Sequence, residues 1–238
     1  MESQKKLIER ELSAISWSRL STFRDQIHRR YPEVWDLKLL RKRFPLILDH
    51  VRDGEKVLDV GASNRSLEGR LKARLPGVVY RSMDIDREQR HDFYSMEEVE
   101  GCYDVVFLFE VIEHLDLEEA LKLLRQIHSL LCPGGRLLLT TPNIFNPGRF
   151  WRDATHRVAY CYDELGGILL GLGFRIKEIY RTYNEPLHRY FFRVHVMAPL
   201  HRYLGVDFAK SILVVAERGS VSSEQEGSAH APQEGHEQ

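Results

Sequence analysis

The sequence predicts an α/β fold, an open doubly wound sheet, mostly parallel, with helices on both faces. Three observations predict it. Runs such as Lys56-Val-Leu-Asp-Val60 and Tyr103-Asp-Val-Val-Phe-Leu-Phe109 are short, apolar and β-branched or aromatic, as strands buried on both faces are. Stretches with apolar residues at helical spacing lie between such runs: Leu67, Leu71 and Leu75, then Ala120, Leu124, Ile127 and Leu131. Strands and helices alternating in this way form βαβ units with right-handed crossovers.

The elements follow in order. Leu7, Leu12, Ile15, Leu20, Phe23 and Ile27 stand at helical spacing among many charges, which predicts one or two amphipathic helices between about residues 4 and 30. Leu37, Leu40, Phe44 and Ile47 extend the same spacing over Val34 to Val51, where Pro45 is expected to kink or divide a helix. These N-terminal helices, residues 1–52, are expected to pack on a core at 53–218. Lys56 to Val60 then enters Gly61 as a buried strand with a tight turn. The helix after it is stopped by Pro76-Gly77, and Val78 to Asp84 is the next strand. Beyond the strand Tyr103–Phe109, Asp116 and Glu119 have the spacing of a capping box. That helix ends at Cys132-Pro-Gly-Gly135, and Arg136 to Thr141 is a strand. A helix from Asp163 closes at Gly173, and two late strands run Phe174 to Tyr180 and Ser211 to Glu217. The connection between those strands, about 182–209, is too long for a hairpin loop and is expected to contain helix. Residues 219–238 have almost no apolar character and are expected to be disordered.

The composition narrows the function. A chain of 238 residues with 43% hydrophobic and 29% charged residues is of ordinary globular type. A formal net charge of −1 argues against a protein built mainly to neutralise nucleic-acid phosphate. Cys102, Cys132 and Cys161 contain no C-x-x-C pair, so reduced thiols and a cytoplasmic location are expected. Met1-Glu-Ser-Gln-Lys-Lys is charged with no apolar stretch behind it, and no run reaches the length of a membrane span.

In an open α/β sheet ligands bind beyond the carboxyl ends of the strands. The loop Gly61, Ala62, Ser63, Asn64 and Arg65 lies at such an end, where Gly61 lets the backbone turn and Asn64 tolerates unusual backbone angles better than most residues. Asp84, at the end of the second strand, is placed to accept hydrogen bonds from ribose hydroxyls. A dinucleotide loop wants Gly-x-Gly-x-x-Gly, and only its first glycine is present. The set Val57-Leu-Asp-Val-Gly61, Met83-Asp-Ile-Asp86, His91-Asp-Phe93, Tyr103-Asp-Val-Val106 and Leu130-Leu-Cys-Pro-Gly-Gly135 resembles the class I S-adenosylmethionine-dependent methyltransferases. The resemblance covers roughly residues 50 to 217 and implies a Rossmann-like seven-stranded sheet, mostly parallel with a late antiparallel strand. It also implies S-adenosyl-L-methionine as cofactor. Asp59 and Gly61, with Ala62 and Ser63 in the same loop, would hold its methionine end. Asp84 would take the ribose, with Ile85 beside it also touching the cofactor, Asp92 and Phe93 the adenine, and Phe109 and Glu110 would line the methionine side. Ser63 and Arg65 stand where the family has its second and third glycines, which keeps open a non-catalytic cofactor-binding or scaffold protein.

The acceptor side is expected at Glu110-Val-Ile-Glu113-His114, which follows a buried strand, and at Asp153-Ala-Thr-His156-Arg157. Glu110, Glu113, His114 and His156 are candidate ligands for a divalent metal. Glu113, His114 and His156 are equally candidates for metal-free acid–base catalysis, or for a structural turn. The pattern is similar to that of ubiquinone-pathway O-methyltransferases and of small-RNA 2′-O-methyltransferases. The acceptor is expected to be a small molecule, a saccharide or a lipid-linked compound, methylated on oxygen, with RNA as the alternative. Aromatic and arginine residues interleave from Tyr180 to Tyr203, which suits a lid or substrate wall.

Overall fold

The computed structural model describes residues 17–219. The helical spacing at Leu7, Leu12 and Ile15 and the tail beyond residue 219 lie outside the described residues. Seven strands form one sheet: β1 (Lys38–Leu40), β2 (Lys56–Val60), β3 (Val79–Met83), β4 (Tyr103–Phe109), β5 (Leu131–Pro142), β6 (Phe174–Thr182) and β7 (Ser211–Arg218). The longer helices are α1 (Trp17–Arg30), α2 (Arg43–His50), α3 (Ser66–Lys72), α4 (Leu117–Leu130) and α5 (Tyr162–Gly171).

The strand order is β1-β6-β7-β5-β4-β2-β3. β7 runs antiparallel to both β5 and β6, and the other pairings are parallel. The seven-stranded, mostly parallel sheet with a late antiparallel strand is therefore as the sequence predicts. Alternate strand residues feed two cores. Leu58, Val106, Leu137 and Val214 face α1, α4 and α5, whereas Val57, Phe107, Leu138 and Leu213 face α2 and α3. That two-sided burial is why the strands read as continuous apolar runs. The chain leaves β2 toward β3 on one side and returns to β4 on the other, so the switch point lies at the carboxyl ends of β2 and β4.

One local signal carries over directly. The Asp116 carboxylate accepts from the Glu119 N–H at 2.9 Å, while Glu119 accepts from the Asp116 N–H at 3.1 Å, and α4 begins there. The two-glycine step in α5 lets α1 approach closely: a Cβ on Gly167 would lie 2.9 Å from the Arg24 backbone nitrogen. Arg24 then reaches Asp163 at 2.8 Å across the same contact.

Three expectations are corrected. Val34 to Val51 is not a kinked helix but a 3₁₀ turn (Val34–Asp36), the edge strand β1 and then α2. Three residues of strand are too few to break a helical spacing, and what decides them is pairing with β6, Lys38 opposite Tyr180. Pro45 kinks nothing, because it is the third residue of α2, where no intrahelical N–H is needed. Cys102 and Cys132 are not free thiols; they form a disulfide, with Cα atoms 5.2 Å apart. The spacing of 30 residues hides a contact that arises because β4 and β5 start side by side, Tyr103 opposite Leu131. Among the described residues Cys161 alone is free, and no helix is long and apolar enough to cross a membrane.

Candidate active site

The turn after β2 sets the site. Gly61 has φ +74°, and its N–H donates to the Met83 carbonyl at 2.8 Å. A Cβ there would lie 2.3 Å from Val111 Cγ2, so the position demands glycine twice over. The left-handed residues that follow are Ser63 (φ +46°) and Arg65 (φ +56°), not Asn64. Asn64 instead accepts the Ser66 N–H at 3.1 Å. Ser63 donates its N–H to the Asp84 carboxylate at 2.7 Å, which fixes the loop to the end of β3.

A cavity of about 520 Å³ opens beside this turn, lined by Gly61, Met83, Asp84, Ile85, Met96, Glu110, Val111 and His114 among others. Its size is that of a small-molecule site. Ile85, which lines it, is 81% exposed. Asp84, Ile85, Gly61 and Glu110 are thus brought together as the sequence expects. Asp59, Ala62, Ser63, Asp92, Phe93 and Phe109 do not line this cavity. Asp59 is buried behind the loop and accepts from the Tyr80 hydroxyl at 2.5 Å; burial pushes its carboxyl up to about 6. Asp92 is held by Arg81 at 2.9 Å, Arg65 at 3.2 Å and the Ser82 N–H at 3.0 Å. Arg65, which stands where a glycine is usual in the resembled loop, thereby ties that loop to Asp92. Phe93 bridges Met83 in backbone pairing, and Phe109 stacks on Phe107 at 5.1 Å. Ser95 and Met96, which the sequence reading passed over, line this cavity where Asp92 and Phe93 do not. Their only signal was their place just after His91-Asp-Phe93.

Glu110 follows β4 at φ +54° and lies 3.8 Å from Arg149. It does not join the acid–imidazole cluster, which comprises Glu113, His114 and His156, with ligand atoms all within 4.8 Å of one another. The 3₁₀ turn Ile112–His114 supplies the first two residues. The loop carrying His156 is clamped on by the Arg157 N–H, which donates to the Glu113 carbonyl at 2.7 Å. Each imidazole is oriented through Nδ1. His156 donates to the Phe150 carbonyl at 2.7 Å. Thr155 gives its own proton to Asp153 at 2.6 Å, so its oxygen accepts from His114 Nδ1 at 2.8 Å. Each Nε2 thereby faces away from its Nδ1 partner, and His156 Nε2 lies 3.9 Å from the Asp153 carboxylate. Glu113 is 1% exposed, and neither of its oxygens has a hydrogen-bond partner. Burial, and then the nearby Glu110 charge, push its carboxyl up to about 8. A cluster with two oriented imidazoles and an unpartnered buried carboxyl can exchange a proton with a bound hydroxyl or hold a divalent cation.

The sequence matches the family described as Methyltransferase domain over residues 27–179. No curated protein matches it. Among solved structures it is similar to a SAM dependent methyltransferase from Archaeoglobus fulgidus, at 18% identity and TM-score 0.58, over 74% of this chain and 91% of that one. It is also similar to an S-adenosylmethionine dependent methyltransferase from Mesorhizobium loti, at 13% identity and TM-score 0.54, over 74% and 97% of the two chains. Likeness at these identities establishes the fold.

Proposed function

This chain belongs to the methyltransferase-domain family, and on that premise we propose that it uses S-adenosylmethionine to methylate a hydroxyl oxygen of a small-molecule acceptor. The observation that carries the reading is that His114 lines the same cavity as Gly61 and Asp84 while belonging to the Glu113–His114–His156 cluster. The residues fit the cofactor. Gly61 keeps the loop open where a Cβ would close it, Asp84 offers carboxylate lone pairs to a vicinal diol, and Ile85 with Met96 offers apolar cover to a purine. Bound there, S-adenosylmethionine would supply an electrophilic sulfonium methyl. The left-handed backbone at Ser63 and Arg65 supports an active loop, since the glycine conformation is kept without the glycines.

The remaining work is positioning the acceptor and removing its proton. His114 is the member of the cluster that lines the cavity and is assigned as the base, with Thr155 holding its tautomer and stabilising the imidazolium that forms. Glu113, protonated near neutrality, keeps the cluster from carrying an uncompensated buried charge. One observation favours a second reading of the same three groups. The imidazoles of His114 and His156 beside the buried Glu113 are a donor set for Mn²⁺ or Zn²⁺, which would acidify the acceptor hydroxyl directly. The segment 182–209 is read as a wall of the acceptor site, since Thr182, Tyr183 and Asn184 line the neighbouring cavity.

Calorimetry with S-adenosylhomocysteine, and methyl transfer to a panel of hydroxylated acceptors, test the proposal. His114→Ala is expected to lower turnover about a hundredfold with cofactor affinity nearly unchanged. Full turnover in that variant would remove His114 from the chemistry. Retained turnover after exhaustive chelation would remove the metal.

A further inference from the structure

A second cavity, of about 650 Å³, opens on the other side of Glu110, which lines both. Six cationic side chains line it, Arg41, Lys42, Arg43, Arg70, Arg149 and Lys210, and Glu110 is its single carboxylate. Arg149 and Lys210 have acidic neighbours, Glu110 at 3.8 Å and Glu185 at 3.7 Å. The other four form no ion pair among the described residues. Three of these are instead laid over rings: Arg41 over Tyr190 at 4.8 Å, Arg43 over Phe109 at 4.2 Å and Arg70 over Phe44 at 4.1 Å. Stacking holds a guanidinium plane while leaving its N–H edge free to donate.

So many like charges around one cavity repel one another unless a ligand supplies the opposite sign. The methyl donor does not supply it. Its sulfonium and ammonium outweigh its one carboxylate, so it is a net cation near neutral pH. We propose that the acceptor is a phosphorylated small molecule, with its phosphoryl oxygens bound by Arg41, Lys42 and Arg70 and its hydroxyl directed past Glu110 toward His114. Forked guanidinium donors match a multi-oxygen dianion, and a lysine adds a point charge. The uncharged edges of the cavity, Thr140, Tyr183 and Asn184, are suited to the remaining polar body of such a molecule.

The inference rests on the methyl-transfer reading of the adjoining cavity, and its test separates the two. Pyrophosphate is titrated calorimetrically, at constant ionic strength, into the full chain saturated with S-adenosylhomocysteine. Saturable binding at one site is expected, weaker by about tenfold or more in the double variant Arg41→Gln/Arg70→Gln, with S-adenosylhomocysteine affinity unchanged. Lys42→Gln, on an exposed side chain, should weaken it by a smaller factor. Absence of saturable pyrophosphate binding, equal binding by the double variant, or citrate bound as tightly as pyrophosphate would each overturn the phosphoryl assignment. So would a single-stranded RNA oligomer displacing pyrophosphate at lower concentration than any phosphorylated monomer. Failure to bind S-adenosylhomocysteine would instead strike the cofactor reading, and pyrophosphate titrated alone would then judge the cavity by itself.

Discussion

At the scale of single residues, the site is built from groups held in states they avoid in water. Glu113 and Asp59 are carboxyls whose burial pushes them up to about 8 and about 6. A raised carboxyl binds its proton more tightly folded than unfolded, so its contribution to stability is full at low pH and is lost as pH rises through the folded value. Stability should therefore fall from the ordinary carboxyl range upward, with Asp59 contributing up to about 6 and Glu113 up to about 8. Glu113→Gln is expected to abolish the fall between about 6 and about 8 and to lessen the slope below it, where Asp59 still acts, read as the thermal midpoint against pH. An unchanged slope in that variant would mean that Glu113 is ionised in the folded state. Ser63 and Arg65 show the same economy in backbone terms. Left-handed angles cost a non-glycine residue on the order of 1 kcal/mol each. Here they are held by the Ser63–Asp84 hydrogen bond and by the ion pairs of Arg65 with Glu68 and Asp92.

At the scale of elements, the parts differ in how firmly they are held. β2, β4, β5 and β7 are covered on both faces, and their apolar runs made them readable in the sequence. β1 is a three-residue edge strand whose existence depends on β6, about 140 residues further along the chain, so no local pattern announces it. The connection between β6 and β7 is the opposite case. It is helical as its length requires, yet no residue from Leu187 to Val196 is buried, and Leu187 and Phe191 are exposed. With so few contacts to lose, it should open locally before the sheet does. Limited trypsin digestion is expected to cut first at Arg189, Arg193 or Arg202, giving a large fragment with β1 to β6 and a small one with β7 that stay associated until denatured. First cleavage within α4 or α5 would show that the segment is better packed than its exposure implies.

At the scale of the whole molecule, both cavities lie beyond the carboxyl ends of the strands, one on each side of Glu110. Binding in the first would join the ends of β2, β3 and β4 to α4, so ligand and global stability should be linked. S-adenosylhomocysteine at about a hundred times its dissociation constant is expected to add about 2.7 kcal/mol, seen as a rise of several degrees in the thermal midpoint. No rise at saturation would mean that the cofactor does not bind the folded chain as proposed.

By itself the sequence determined the α/β class, the late antiparallel strand through its family resemblance, the α4 cap and the places of Gly61, Asp84 and His114. These rest on local physics: strand and helix periodicities, a turn that only glycine makes, and groups placed at strand ends by the alternation of elements. The tertiary structure alone decided what depends on distant parts of the chain meeting. It separated Glu110 from the Glu113–His114–His156 cluster, joined Cys102 to Cys132, and turned Asp92 inward to Arg65 and Arg81. It also gathered Arg41, Arg70, Arg149 and Lys210 around one cavity. Nearly balanced charge along the sequence conceals that concentration, because charge acts through distance in space and the fold alone sets those distances.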